Sequence, residues 1–338
     1  QQRRDQAPVR KGKTFVMPRL CRLIQDELEI VEQDNLIGPE GWDLADYPPI
    51  LTPGDFSTEV EAKRYEIGIE GNRVVQRYLG AQMTLDLKHM EEAWTEAHLI
   101  GWLVDHIEAS HSADFQDIKQ VALRAYVRRV IRYLTTDRAM TLADLQQYAF
   151  SLHKAVDQKI RDHRAAAFRK AFQQLLALPT KEVRTTFDFA FNFPPDGYQP
   201  HWYYQGARRF NTHFYPEVGE LEPTGEEFEC AVAIDECPDV EYWVRNLDHG
   251  PSAYSLPVPS GNFYPDFAVQ LKDGRVMLIE YKGEHLEAKP SEQEKHDIGR
   301  FWEKHGAGKA LFLWAVKEDA EGRDVAKQLA AKIRSVKQ

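Results

Sequence analysis

The sequence predicts an α/β protein, and three patterns carry that class. Short apolar runs broken by Pro and Gly fill the first sixty residues. A three-to-four-residue apolar period runs from about Leu87 to Leu178. Beyond Thr224, strand and helix patterns alternate. Together they predict a mainly helical region with some short strands, followed by a compact mixed domain. The expected division is 1–86 strand and loop, 87–222 mainly helical and basic, and 223–338 mixed α/β, with a boundary near Pro216–Thr224.

The elements follow in order. Phe15-Val16-Met17 and Leu28-Glu29-Ile30-Val31, with Pro39, Pro48, Pro49 and Pro53 after them, read as short strands and loops. Trp94, Leu99, Trp102, Leu103 and Ile107 recur at helical steps. So do Val121, Val127, Val130, Ile131 and Leu134, and then Leu142, Leu145, Phe150 and Leu152. Phe168, Phe172, Leu175 and Leu176 close this region before Pro179. Phe187, Phe189, Phe191 and Phe193 alternate as one strand with a buried face. Thr224 is the expected N-cap of a helix over 225–234, with Glu227 three residues on as in a capping box. Strands are expected at 240–245, 263–271 and 275–282, a helix at 291–305, a strand at 309–316 and an amphipathic helix at 322–336.

Composition bounds the function. The 338 residues are 43% hydrophobic and 28% charged, as in globular proteins. No apolar run is long enough to span a bilayer, and the first residues form no secretory signal. Cys21, Cys230 and Cys237 form no CxxC pair, which argues against a zinc ribbon and fits a reducing, cytoplasmic setting, and Cys230 and Cys237 are expected as buried small apolar residues. The net charge of −10 is unevenly spread: residues 119–185 hold 14 Lys and Arg against 5 Asp and Glu. That basic stretch predicts a phosphate-binding surface or, equally, a solvated helix face. Within it Arg124, Arg128 and Arg132 share one helical stripe beside Arg129, and Lys159, Arg161, Arg164, Arg169 and Lys170 thicken the patch.

The chemistry concentrates in Phe263-Tyr264-Pro265-Asp266-Phe267 and Ile279-Glu280-Tyr281-Lys282-Gly283. Two carboxylates offer hard oxygen ligands for Mg²⁺, with Mn²⁺ as a substitute, and Lys282 offers a cation for an attacking water or a charged transition state. Register decides whether they meet. A two-residue Asp273-Gly274 turn would put Asp266 opposite Tyr281, away from Glu280 and Lys282. A three-residue Lys272-Asp273-Gly274 loop, with Gly274 left-handed in a G1 bulge, puts Asp266 opposite Glu280 and Tyr264 opposite Lys282. The apolar alternation of Phe267, Val269, Leu271, Met277 and Ile279 predicts the second register.

These residues and the helix–three strands–helix–strand order resemble a PD-(D/E)XK, restriction-endonuclease-like core. With Glu226-Glu227-Phe228, Val244-Arg245-Asn246 and Lys295, the stretch from about Gly225 to Val316 is similar to the C-terminal endonuclease domain of type III restriction subunits and related antiphage helicase–nucleases. The resemblance implies Mg²⁺-dependent DNA cleavage by Asp266, Glu280 and Lys282, with the Tyr281 backbone carbonyl as a further metal ligand. Glu227 either completes that metal site or only caps its helix. Lys295 shares a stripe with Ile298 and Trp302 and faces either the sheet and DNA or solvent. The resemblance also implies an ATP-driven motor. This sequence has no phosphate-binding GxxxxGK[ST] loop, so the motor is expected upstream in the same polypeptide or as a separate subunit; the missing initiator Met favours the first. The competing reading is a catalytically inert nuclease-like module that binds DNA or protein. His106, His285 and His296 are expected as surface or packing residues, since no HxxxH or HExxH spacing supports a metal.

Overall fold

The structure is a computed structural model that describes residues 13–37, 42–52, 55, 65–70, 73–78, 84–86, 94–110, 120–192, 197–283 and 289–335. The expectations touching residues 1–12, Pro39, Pro53, Leu87, Phe193 and His285 lie outside the described residues. The chain forms two compact units, 1–36 with 169–338, and 37–168. These units cut across the expected boundaries at 86 and 222.

The first strands, β1 (Thr14–Ile24) and β2 (Glu27–Ile30), belong to the first unit. In the second unit, β3 (Tyr65–Glu70), β4 (Arg73–Tyr78) and β5 (Thr84–Asp86) form an antiparallel meander. The helices α1 (Glu96–Ser110), α2 (Gln120–Thr136), α3 (Leu142–Gln147) and α4 (Ala149–Leu176) follow. Their apolar stripes make one core of Leu99, Leu103, Val127, Ile131, Leu145 and Val156. Val121 departs from the expected stripe: it is 81% exposed, one position into α2 before the buried face begins. Thr141 caps α3 in a capping box with Asp144, each side chain bonding the other residue's amide. No described helix is long and apolar enough to cross a membrane.

The chain returns to the first unit with β6 (Val183–Asn192), which pairs antiparallel with β1 along most of its length. That pairing explains why residues 14–24 join the C-terminal half despite about 160 intervening residues. Pro18 interrupts β1 with a register shift between Met17 and Arg19, as expected for a residue lacking a backbone N–H. Its carbonyl accepts from the buried Tyr254 hydroxyl at 2.5 Å and the Trp302 indole at 2.8 Å.

The rest is α5 (Glu226–Glu236), β7 (Val240–Arg245), β8 (Leu256–Val258), β9 (Gly261–Phe263), β10 (Phe267–Leu271), β11 (Val276–Lys282), α6 (Pro290–His305), β12 (Ala310–Val316) and α7 (Val325–Ser335). The main sheet has the order β12-β11-β10-β7, antiparallel except for the β11–β12 pair, which α6 connects as a crossover. One face carries Phe267, Val269, Met277, Ile279, Leu311 and Leu313 against Cys230 and Ile234 of α5 and Leu329 and Ile333 of α7. The other face meets α6 so closely that a Cβ on Gly299 would lie 2.4 Å from the Phe312 ring.

Two local expectations need correction. The strand expected over 263–271 is broken: β9 pairs with β8, and β10 starts only at Phe267. Pro265 has no amide to donate, and its carbonyl is taken by the Asn246 side chain at 2.9 Å. The α5 N-cap is Gly225 at φ +105°, with no side-chain cap, so Thr224 and Glu227 form no capping box. Cys21 and Cys230 are buried free thiols, and Cys237 is half-buried.

Candidate functional site

The β10–β11 hairpin has the register that the three-residue loop demands. Phe267 lies opposite Ile279, and Val269 opposite Met277, so Asp266 falls opposite Glu280. Leu271 closes the loop by donating to the Arg275 carbonyl at 2.8 Å, and Gly274 sits at φ +87°, where a side chain would be strained.

Around this hairpin four carboxylates and three cations interlock. The Asp266 carboxylate accepts from the Tyr281 amide at 2.7 Å and from Arg245 Nη1 at 2.9 Å. The Asp266 amide donates to Glu280 Oε2 at 3.3 Å, and the other Glu280 oxygen lies 3.4 Å from Lys295 Nζ. Lys295 also reaches Glu292 Oε1 at 3.3 Å, and Lys282 donates to Glu292 Oε2. Arg245 Nη2 donates to Glu227 Oε2 at 2.6 Å, so one guanidinium holds Glu227 and Asp266 together. The Asn246 side chain clamps the backbone on either side, bonding the Tyr254 and Pro265 carbonyls and the Tyr254 amide.

Electrostatics follow from burial. Glu280 is 8% exposed, and its carboxyl is pushed up to about 8, first by loss of hydration and then by the neighbouring Asp266 charge. Burial opposes ionisation of Glu292 too, but Lys282 and Lys295 outweigh it and hold its carboxyl below the usual range. Lys295 is shifted upward: partial burial disfavours its charge, yet Glu280 and Glu292 more than compensate.

The structure therefore brings Asp266, Glu280, Glu227 and Lys295 into one network with Arg245. Lys282 joins it through Glu292, not through a direct contact with Glu280. Glu292 and Arg245 were not among the residues assigned a role from sequence. In the sequence Arg245 stood out only as part of Val244-Arg245-Asn246; its pairing with Phe267 across the sheet is what brings it to Asp266. The three carboxylates Glu227, Asp266 and Glu280 do not converge on a single point. Among the described residues, only His201, Glu220 and His249 bring three ligand atoms within 4.8 Å of one another.

The basic helix divides by environment. Arg124, Arg128 and Arg132 are exposed on α2 and make no ion pair among the described residues. Arg129 differs: it donates to the backbone carbonyls of Leu44, Ala45 and Tyr47 and fastens the 3-10 turn at Leu44–Asp46. Its planar fork matches that cluster of carbonyls, so its guanidinium is engaged in the fold where those of Arg124, Arg128 and Arg132 are exposed. His106 bonds the Trp102 carbonyl at 2.7 Å, and His296 packs edge-on to Trp314.

Comparison with protein-family models, curated proteins and solved structures finds no match to this chain.

Proposed function

We propose that residues 226–316 form a PD-(D/E)XK-type nuclease domain that cleaves DNA with Mg²⁺. The observation that carries this reading is the hairpin register, which puts Asp266 opposite Glu280 and the Glu280 carboxylate on the Asp266 amide. The order helix, three strands, helix, strand around the mixed sheet supports it.

The donor chemistry fits a hard dication. The Glu280 carboxyl is pushed up first by burial and then by the neighbouring Asp266 charge. A bound dication would offset both the lost hydration and that repulsion. Asp266 and Glu280 would hold Mg²⁺, with the Tyr281 carbonyl as a further oxygen, and Glu227 would join them only on leaving Arg245. When bound, Mg²⁺ supplies charge neutralisation at a phosphodiester and a more acidic water. Lys282 and Lys295 place two ammonium groups on the same side of the sheet, fixed by Glu292, where they oppose negative charge developing on phosphate. The exposed Arg124, Arg128 and Arg132 offer phosphate contacts without base readout. Membership of a restriction or antiphage assembly with an ATP-driven motor rests on the sequence resemblance.

One observation favours a second reading, an inert module that binds DNA or protein: Arg245 already neutralises both Asp266 and Glu227. Plasmid cleavage separates the two. The wild type is expected to nick or linearise DNA in Mg²⁺ and not in chelator. Asp266→Ala and Glu280→Gln are expected to lose about 10²-fold or more while keeping their circular dichroism. Equal cleavage by wild type and Asp266→Ala removes the catalytic assignment. DNA binding without cleavage by the wild type establishes the inert module instead.

A further inference from the structure

A second polar cluster in the same unit has a different ligand chemistry. His201, Glu220 and His249 come from three separate stretches of irregular backbone. Tyr203 and Gly219 form an isolated antiparallel bridge, flanked by the Glu220 amide on the Trp202 carbonyl at 3.0 Å and the Tyr204 amide on Val218 at 2.9 Å. This ribbon sets His201 beside Glu220. The loop after β7 then delivers Asp248 and His249.

The three donor atoms lie within 4.8 Å of one another, and two of their separations bracket that of a coordination shell. Glu220 Oε1 lies 3.0 Å from His201 Nδ1 and 3.8 Å from His249 Nε2. A tetrahedral zinc ion with bonds of about 2.0–2.1 Å spaces its ligands about 3.3 Å apart, between these two values. The imidazole centroids are 4.0 Å apart. His249 Nε2 also donates to the Gln199 carbonyl at 3.1 Å.

The surroundings match as well. Asp248 Oδ1 lies 2.7 Å from His249 Nδ1. The Asp248 carboxylate accepts Nδ1–H, the carboxylate–histidine arrangement found behind metal-bound imidazoles, while Nε2 donates to the Gln199 carbonyl and would give up that proton to a metal. Glu220 adopts φ +48°, a left-handed conformation unusual for a side-chain-bearing residue. Its carbonyl is held there by Arg245 Nε at 3.3 Å. The His201 side chain is 73% exposed, so the cluster opens to solvent on one side and leaves room for a water ligand.

We propose that His201, His249 and Glu220 form a site for a zinc-type dication, with Asp248 orienting His249. Two imidazoles and one carboxylate select a borderline first-row metal over Mg²⁺, which prefers the all-oxygen surroundings of Asp266 and Glu280. The assignment does not depend on the nuclease reading. It adds a metal tie across the 201–220 ribbon and the 246–249 loop, one bond removed from Arg245.

Titration of the tag-free full chain with Zn²⁺ against a chromogenic chelator tests it, with Co²⁺ absorption as a second readout of nitrogen ligation. The expected result is one equivalent of Zn²⁺ that excess Mg²⁺ does not displace. His201→Ala and His249→Ala should each weaken that equivalent by more than about tenfold, and Asp248→Asn by about tenfold. Glu220→Gln keeps the size of the side chain and its contact with the His201 amide, so it serves as a second ligand variant in which the fold is retained. Zn²⁺ should raise the melting temperature of the wild type and not of Glu220→Gln. No Zn²⁺ equivalent in the wild type overturns the proposal. So does an equivalent of unchanged affinity in the His201→Ala/His249→Ala double variant.

Discussion

The Asp266–Glu280 cluster and the His201–Glu220–His249 cluster lie in one unit and share Arg245, yet they are built in opposite ways. The first hangs on adjacent strands, where a two-residue side-chain period and one turn dictate who faces whom. Its carboxylates are largely withdrawn from water and bound to cations. The second hangs on loops, is open to solvent, and owes its convergence to one isolated bridge and a left-handed Glu220. A sheet positions groups by periodicity, and a loop positions them only through the contacts it finds.

The largest effect is expected where the two clusters meet. Arg245→Ala removes the partner of Asp266, Glu227 and the Glu220 carbonyl together. Breaking a fully buried pair costs about 3–5 kcal/mol, and the half-exposed Glu227 sets that as an upper range here. Urea unfolding reads it; a loss below about 1 kcal/mol would show that Arg245 does not tie the clusters. Next, Gly274→Ala should cost about 1–2 kcal/mol, because its left-handed φ sustains the register that makes the first cluster. Unchanged stability would mean the loop does not need that conformation.

The third test uses pH. Glu280 binds its proton more tightly folded, at about 8, than at its ordinary value of 4.5. Its contribution to stability is complete below about 4.5 and is lost as pH rises through about 8. The melting temperature of the wild type should therefore fall across that window relative to Glu280→Gln, and Mg²⁺ should reduce the fall. A parallel pH profile for both proteins would contradict the buried-carboxyl account. The smallest effect belongs to the loop cluster: Glu220→Gln without added metal should change stability by less than about 1 kcal/mol, since its His201 partner is largely exposed. A larger loss in differential scanning fluorimetry would show that the ribbon depends on this ion pair even without a cation.

The legibility of these features tracks how local their causes are. The β10–β11 register was readable because Lys272-Asp273-Gly274 and the alternating Phe267, Val269, Met277 and Ile279 constrain only sixteen residues. Lys295 was left open between the sheet and solvent by its stripe with Ile298 and Trp302, and its contacts with Glu280 and Glu292 decide it. The break before Phe267 was marked by Pro265 and still missed, since a Pro can also begin a strand. The capping box at Thr224 failed because Gly225, at φ +105°, takes the cap position. Arg129 looked like part of a cationic stripe; only the fold brings the carbonyls of Leu44, Ala45 and Tyr47 to it.

By itself, then, the sequence determined the mixed α/β class, the order of the main-sheet strands and helices beyond Thr224 but not the β8–β9 hairpin among them, and the pairing of Asp266 with Glu280, because helix and strand periods and turn chemistry act over a few residues. Tertiary structure alone decided that β1 pairs with β6, that Arg245 joins Glu227 to Asp266, and that His201, Glu220 and His249 meet. Those contacts close long loops, whose cost depends weakly on length and whose partners no local pattern encodes.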